Sequence, residues 1–125
     1  MAASGTASLS ADTLVFTTAG ENPTATSIVL QGNAFSSAGV VFGQGVRCVS
    51  GTLKRLFVTT AVGGSITAPT GGPSVSAQSS ALGDPIASGE HRYCMVYYRD
   101  PTVLGACPAA STFNGTNALD VSWAP

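Results

Sequence analysis

Residues 90–100, EHRYCMVYYRD, are the densest run of aromatic and β-branched side chains in the chain. The run is bounded by Ser88 and Gly89 before it and by Asp100 and Pro101 at its end. Strand-forming content between turn residues predicts a β-strand, about 8 residues long where 5 or 6 is usual, and therefore a central one. Its alternation fills both sides: Tyr93, Met95 and Tyr97 share one face, and Cys94, Val96 and Tyr98 share the other. A strand apolar on both faces is either covered on both sides or built into a small closed β structure. The rest of the chain has to be arranged around it.

The other segments read as shorter strands separated by Gly and Pro. Residues 13–18 (TLVFTT), 27–31 (SIVLQ) and 52–60 (TLKRLFVTT) carry β-branched content. Residues 39–48 read as two short strands broken at Gly43 and Gly45. In the third of these segments Leu53, Arg55, Phe57 and Thr59 fall on one face, and Lys54, Leu56, Val58 and Thr60 on the other. Short strands are also expected at 65–68 and 74–77, with loop at 82–88 and 101–111. A last strand is expected at 117–123, whose Leu119, Val121 and Trp123 should pack in one core with Phe57 and Tyr97. No 3.6-residue period runs for more than about one turn. Short strands spaced by about 8 to 12 residues predict an all-β fold, an antiparallel β-sandwich of jelly-roll or immunoglobulin-like kind.

Ahead of that domain, Ala7, Leu9 and Ala11 alternate with polar residues, and Leu14 and Phe16 resume a strand pattern after a slip of parity. Gly20, Glu21, Asn22 and Pro23 read as a turn or linker. The chain therefore divides into an N-terminal strand extension, residues 1–23, and one sandwich domain, residues 24–125. Its 125 residues suffice for one core but not two.

Charge narrows the functions. Charged residues make up 9% of the chain and the net charge is −1, against about 25% charged in an ordinary soluble domain. Without a basic patch there is no footprint for nucleic acid. No stretch of about 18 apolar residues is present, so no membrane insertion by a helix is expected. A surface of Ser, Thr, Gly and Ala suits a protein covered by copies of itself or exposed outside the cell. Residues 1–5 lack the positive and apolar regions of a signal peptide. Two of the three cysteines, Cys48 and Cys107, lie near Gly and Pro turns, where a staple is useful in an extracellular protein. On that reading, the chain begins after processing or Met1 is not the native start.

Catalytic patterns are missing. His91 is the single histidine, and a triad needs a nucleophile and an orienting carboxylate beside it. No serine sits in a Gly-x-Ser-x-Gly elbow, the cysteines lack zinc spacing, and the Gly pairs at 63–64 and 71–72 carry no phosphate-loop lysine. The carboxylates Asp12, Glu21, Asp84, Glu90, Asp100 and Asp120 are scattered. The chain is therefore expected to be no enzyme and to hold no cofactor or metal. Asn114, Gly115 and Thr116 match the N-glycosylation acceptor pattern and equally a plain Asn-Gly hairpin turn. Tyr93, Tyr97, Tyr98 and Trp123 are candidates for a platform on which sugars stack, or for core.

Several pieces carry a family likeness: Leu30-Gln31-Gly32, VFGQGVRC at 41–48, YYRDP at 97–101, Cys107-Pro108 and STFNGTNALDVSW at 111–123. Together they resemble an uncharacterised domain at the C-termini of secreted proteins from environmental bacteria, over about residues 26 to 125. In that family the cysteines matching Cys48 and Cys107 form the regular pair, which leaves Cys94 as an extra thiol. The chain is also similar to protomers of bacterial extracellular filaments from environmental water, in which an N-terminal strand of one subunit completes the next. That likeness rests on the domain plus its short extension. It implies a structural subunit of an extracellular, cell-surface filament, a homopolymer; the alternating segment with Ala7, Leu9, Ala11, Leu14 and Phe16 is then either the donated strand or, in the plainer reading, the first strand of its own sandwich. A strand so donated takes affinity from main-chain hydrogen bonds and register from alternate side chains. The contrasting expectation is a secreted module that binds polysaccharide, for which exposed aromatics and a carboxylate would be the mark.

Overall fold

A computed structural model describes residues 1–102 and 111–125. In chain order the elements are β1 (Ala2–Ser4), β2 (Val15–Thr17), β3 (Thr26–Phe42), β4 (Gly45–Thr60), β5 (Thr67–Ala68), α1 (Val75–Ala81), β6 (His91–Arg99), β7 (Phe113–Gly115) and β8 (Leu119–Ser122). The strands are mostly antiparallel and form two sheets that do not close. The smaller has the order β1-β2-β5; the larger runs β4-β3-β6, with β7 and β8 each pairing with β6.

The EHRYCMVYYRD run is the expected central strand. β6 pairs with β3 along Gly32↔Tyr93 to Ser27↔Tyr98, and on its other edge with β8 at His91–Cys94 and with β7 at Tyr97–Arg99. Both of its faces are covered, each by a separate cluster. Cys94 and Val96 pack with Val29, Leu56, Phe16, Leu14, Ile66, Ala68, Val121 and Trp123, with Tyr98 at the margin, so this inner core draws on both sheets. Met95 packs with Leu30 and Val49, flanked by Tyr93, Tyr97, Phe42 and Ala118, on the outer face. Leu119, Val121 and Trp123 therefore do share a core with Phe57, but Tyr97 does not: it points to the outer face.

The long hairpin β3–β4 supplies the outer cover. Its register shifts between Val29 and Leu30, between Gly32 and Ala34, and between Phe35 and Val40. The first shift leaves Leu56 without a partner between Phe57 and Arg55, a β-bulge. The bulge overturns the expected alternation on β4: Leu56 is buried in the inner core and Phe57 packs against that same core. Bulges bend the strand that carries them, and here the far half of the hairpin reaches back over β6. Gly32 makes room for the return, since a Cβ there would lie 2.3 Å from the Ser50 carbonyl oxygen and 2.8 Å from Val49. Gly43 opens the two-residue turn at φ +62° and sits against the Phe113 ring. Gln44 N–H donates to the Phe113 carbonyl at 3.0 Å, and Phe42 lies edge-on to Tyr97 and Phe113, with ring centroids 5.3 and 5.0 Å away.

Residues 74–77 were expected as a strand and are instead the start of a helix. Ser74 caps α1, its hydroxyl accepting from Ala77 N–H, and Gln78 N–H donates to the Ser74 carbonyl. Seven residues show too little of a 3.6 period for the pattern to register. Burial of Val75 and Ser79 and a polar network hold the helix. Gln31 Nε2 donates to Ser79 Oγ at 2.6 Å and to Asp84 Oδ2 at 3.0 Å, and Ser79 Oγ donates to the Asp84 carbonyl. Arg92, 5% exposed, grips both Asp84 oxygens from β6.

Candidate functional site

Residues 2–18 were read either as a strand donated to a neighbouring subunit or as the first strand of the domain itself. The chain places them on it. β2 lies between β1 and β5, with Phe16 opposite both Ala3 and Ala68. Phe16 is fully buried and Leu14 is 6% exposed, both in the inner core. Ala7 packs partly against that core, while Leu9 and Ala11 are exposed. The alternation at 7, 9 and 11 therefore makes no continuous strand. It crosses the chain's other end, where Ala124 N–H donates to the Ala7 carbonyl and Leu9 N–H to the Ala124 carbonyl. All three residues of β1 are exposed. Residues 20–23, read as a turn or linker, form a turn: Glu21 is buried and accepts from the Thr18 and Ser27 hydroxyls, and its N–H donates to the Gly64 carbonyl at 3.0 Å.

The thiols separate by burial. Cys48 on β4 is half-buried and Cys94 on β6 is 1% exposed; both are free. Cys107, the partner expected for Cys48, lies outside the described residues. Burial pushes the Cys94 thiol up to about 12, and the nearby Arg92 guanidinium only partly opposes it. Asn114, a candidate glycan acceptor, lies within β7 opposite Tyr98 and not in a hairpin turn; it is half-buried, with Oδ1 accepting from Gly115 N–H at 2.8 Å. The hydroxyl of Thr116 is engaged by the backbone, accepting from Val96 N–H and donating to the Asn117 carbonyl.

Of the four aromatics considered for a sugar platform, Trp123 is 1% exposed in the inner core, Tyr98 borders that core, and Tyr97 is packed against Phe42 and Phe113. Tyr93 remains, and the fold gives it company that sequence spacing did not reveal. Register sets Tyr93 directly opposite Asp120, and His91, two residues earlier on β6, shares that face. His91 Nδ1 lies 2.7 Å from Asp120 Oδ1, with both side chains half exposed. Phe35, at the bend of the hairpin and 54% exposed, stands 5.7 Å from the Tyr93 ring. Phe35, Tyr93, Ala118, Leu119 and Asp120 line an open cleft of about 270 Å³. The imidazole–carboxylate pair was hidden because the two residues are far apart in sequence and only the β6–β8 pairing joins them. Among the described residues no hydroxyl bonds to the second His91 nitrogen, and no group of three or more His, Cys, Asp or Glu gathers as metal ligands. No helix among them is long and apolar enough to cross a membrane.

No family model, curated protein or solved structure matches the chain.

Proposed function

We propose that this protein is a structural subunit of an extracellular filament, a non-catalytic homopolymer assembled by strand exchange, with its two sheets acting as the layers of a sandwich. The observation that carries this reading is the seating of residues 14–16. Leu14 and Phe16 plug the inner core, yet the strand that presents them has only three residues and pairs with the rest of the domain through Phe16↔Ala68 and Thr17↔Thr67. Alternate apolar anchors plus a short main-chain ladder are what a donated strand requires. The same groove beside β5 accepts its own segment or that of a neighbour. Head-to-tail exchange does not close on itself and makes open fibres. In the polymer, residues 18–22 would swing out, exchanging the Glu21 hydrogen bonds for those of the adjoining subunit. Edges of β1 and β4 that are unpaired among the described residues, the exposed Val58 and Val62 and the 9% charge content favour association over a solitary life. The sequence resemblance to secreted bacterial domains and filament protomers is in keeping with this reading.

Deleting residues 2–18 tests the proposal by electron microscopy and calorimetry. The expected result is loss of fibres, with a peptide of the deleted sequence restoring a folded, capped monomer. Fibres from the truncated chain would refute strand exchange.

A further inference from the structure

We propose that the cleft between Phe35 and Tyr93 binds a neutral pyranose sugar, one unit of a polysaccharide chain. This site is independent of how, or whether, the subunit polymerises. The two rings are tilted 38° to each other with centroids 5.7 Å apart, so they form a shallow concave apolar surface and not a closed stack. Phe35 is more than half exposed, although it is the kind of residue a fold buries, and among the described residues only Ala118 and Leu119 give it aliphatic company in this cleft. Ring faces carry partial negative charge and attract polarised C–H groups. The axial C–H face of a pyranose offers these, and its hydroxyl edge then needs acceptors and donors at the rim.

Asp120 supplies the acceptor. One oxygen, Oδ1, is held by His91 Nδ1 at 2.7 Å, which fixes the carboxylate; Oδ2 has no partner among the described residues. An ionised carboxylate oxygen accepts charge-assisted hydrogen bonds, and vicinal hydroxyls are the donors that fit. The same carboxylate repels uronates and sulfated sugars, and no arginine or lysine lines the cleft. A neutral chain is therefore selected. The cleft of about 270 Å³ lies just below the usual range for ligand sites, so it holds one sugar unit weakly, and repeated subunits would add avidity.

Native affinity electrophoresis tests this, using the full chain in gels cast with hydroxyethyl cellulose, dextran, xylan or galactomannan, and with alginate as the acidic control. The expected result is retardation by at least one neutral polymer and none by alginate. Phe35→Ala and Asp120→Asn should each weaken that retardation at least ten-fold, with unchanged circular dichroism. Val62→Ala, at a remote exposed position, should leave it intact. Phe35 is exposed, so its loss does not threaten folding as truncation of Tyr93 would. Absence of retardation by all four neutral polymers, retardation that survives Phe35→Ala, or binding to alginate instead would each overturn the proposal.

Discussion

Trp123 and Cys94 show how much single side chains carry in the inner core. Trp123 is 1% exposed and its indole Nε1 has no hydrogen-bond partner among the described residues, so the ring is held by packing and bears the cost of an unmet donor. Trp123→Ala should cost about 3 to 5 kcal/mol in denaturant unfolding. Trp123→Phe should cost less than half as much, because it keeps most of the volume and removes the orphan N–H. Cys94 makes a pH prediction. Its thiol is raised from the ordinary value of 9.0 to about 12 by burial. Between those values the unfolded chain has released the proton and the folded chain retains it. Stability contributed by the protonated thiol is thus fully present below pH 9 and lost as pH rises toward 12. The slope is on the order of 1 kcal/mol per pH unit. Unfolding midpoints measured from pH 8 to 11 should fall less steeply for Cys94→Ala than for the natural chain; equal slopes would show that Cys94 does not titrate this way.

Among the elements, the hairpin β3–β4 has the most consequences and was the least legible. The sequence pointed to its turn, through Gly43 and Gly45, and to most of its strand content. Period-2 alternation could not reveal that the hairpin bends, because the bulge at Leu56 and the shift between Phe35 and Val40 are set by what the strand packs on. Gly32 is the hinge of this fold-back. Gly32→Ala sets a Cβ against the Ser50 carbonyl, a backbone atom that cannot rotate away. It should destabilise by about 1 to 3 kcal/mol, and should loosen Phe42 from Tyr97 and Phe113, read as faster ring flipping by NMR. A variant as stable as the parent would show that the hairpin has room to spare. The helix α1 was missed for a different reason: its capping serine and small residues look the same in a polar strand, and tertiary burial of Val75 and Ser79 decides between them.

At the scale of the whole molecule, the β class, the central strand and its two-faced filling could be read directly from residues 90–100. The candidate cleft could not, because Phe35, Tyr93 and Asp120 come from three strands whose neighbourhood is fixed only by β3–β6–β8 pairing. Layering matters for time as well as space. The Phe42↔Gly45 end of the hairpin closes across a two-residue turn, an event of microseconds. β6 must then find β3, whose partners, from Gly32↔Tyr93 to Ser27↔Tyr98, are far apart in sequence, and pairing between distant segments is slow. The groove beside β5 is complete only after that search. The short strand carrying Leu14 and Phe16 seats on a core that includes Cys94 and Val96 of β6, so its full seat forms only with that search. Under the proposed strand exchange, the balance between local concentration and docking rate decides whether each segment closes its own subunit or links to the one ahead.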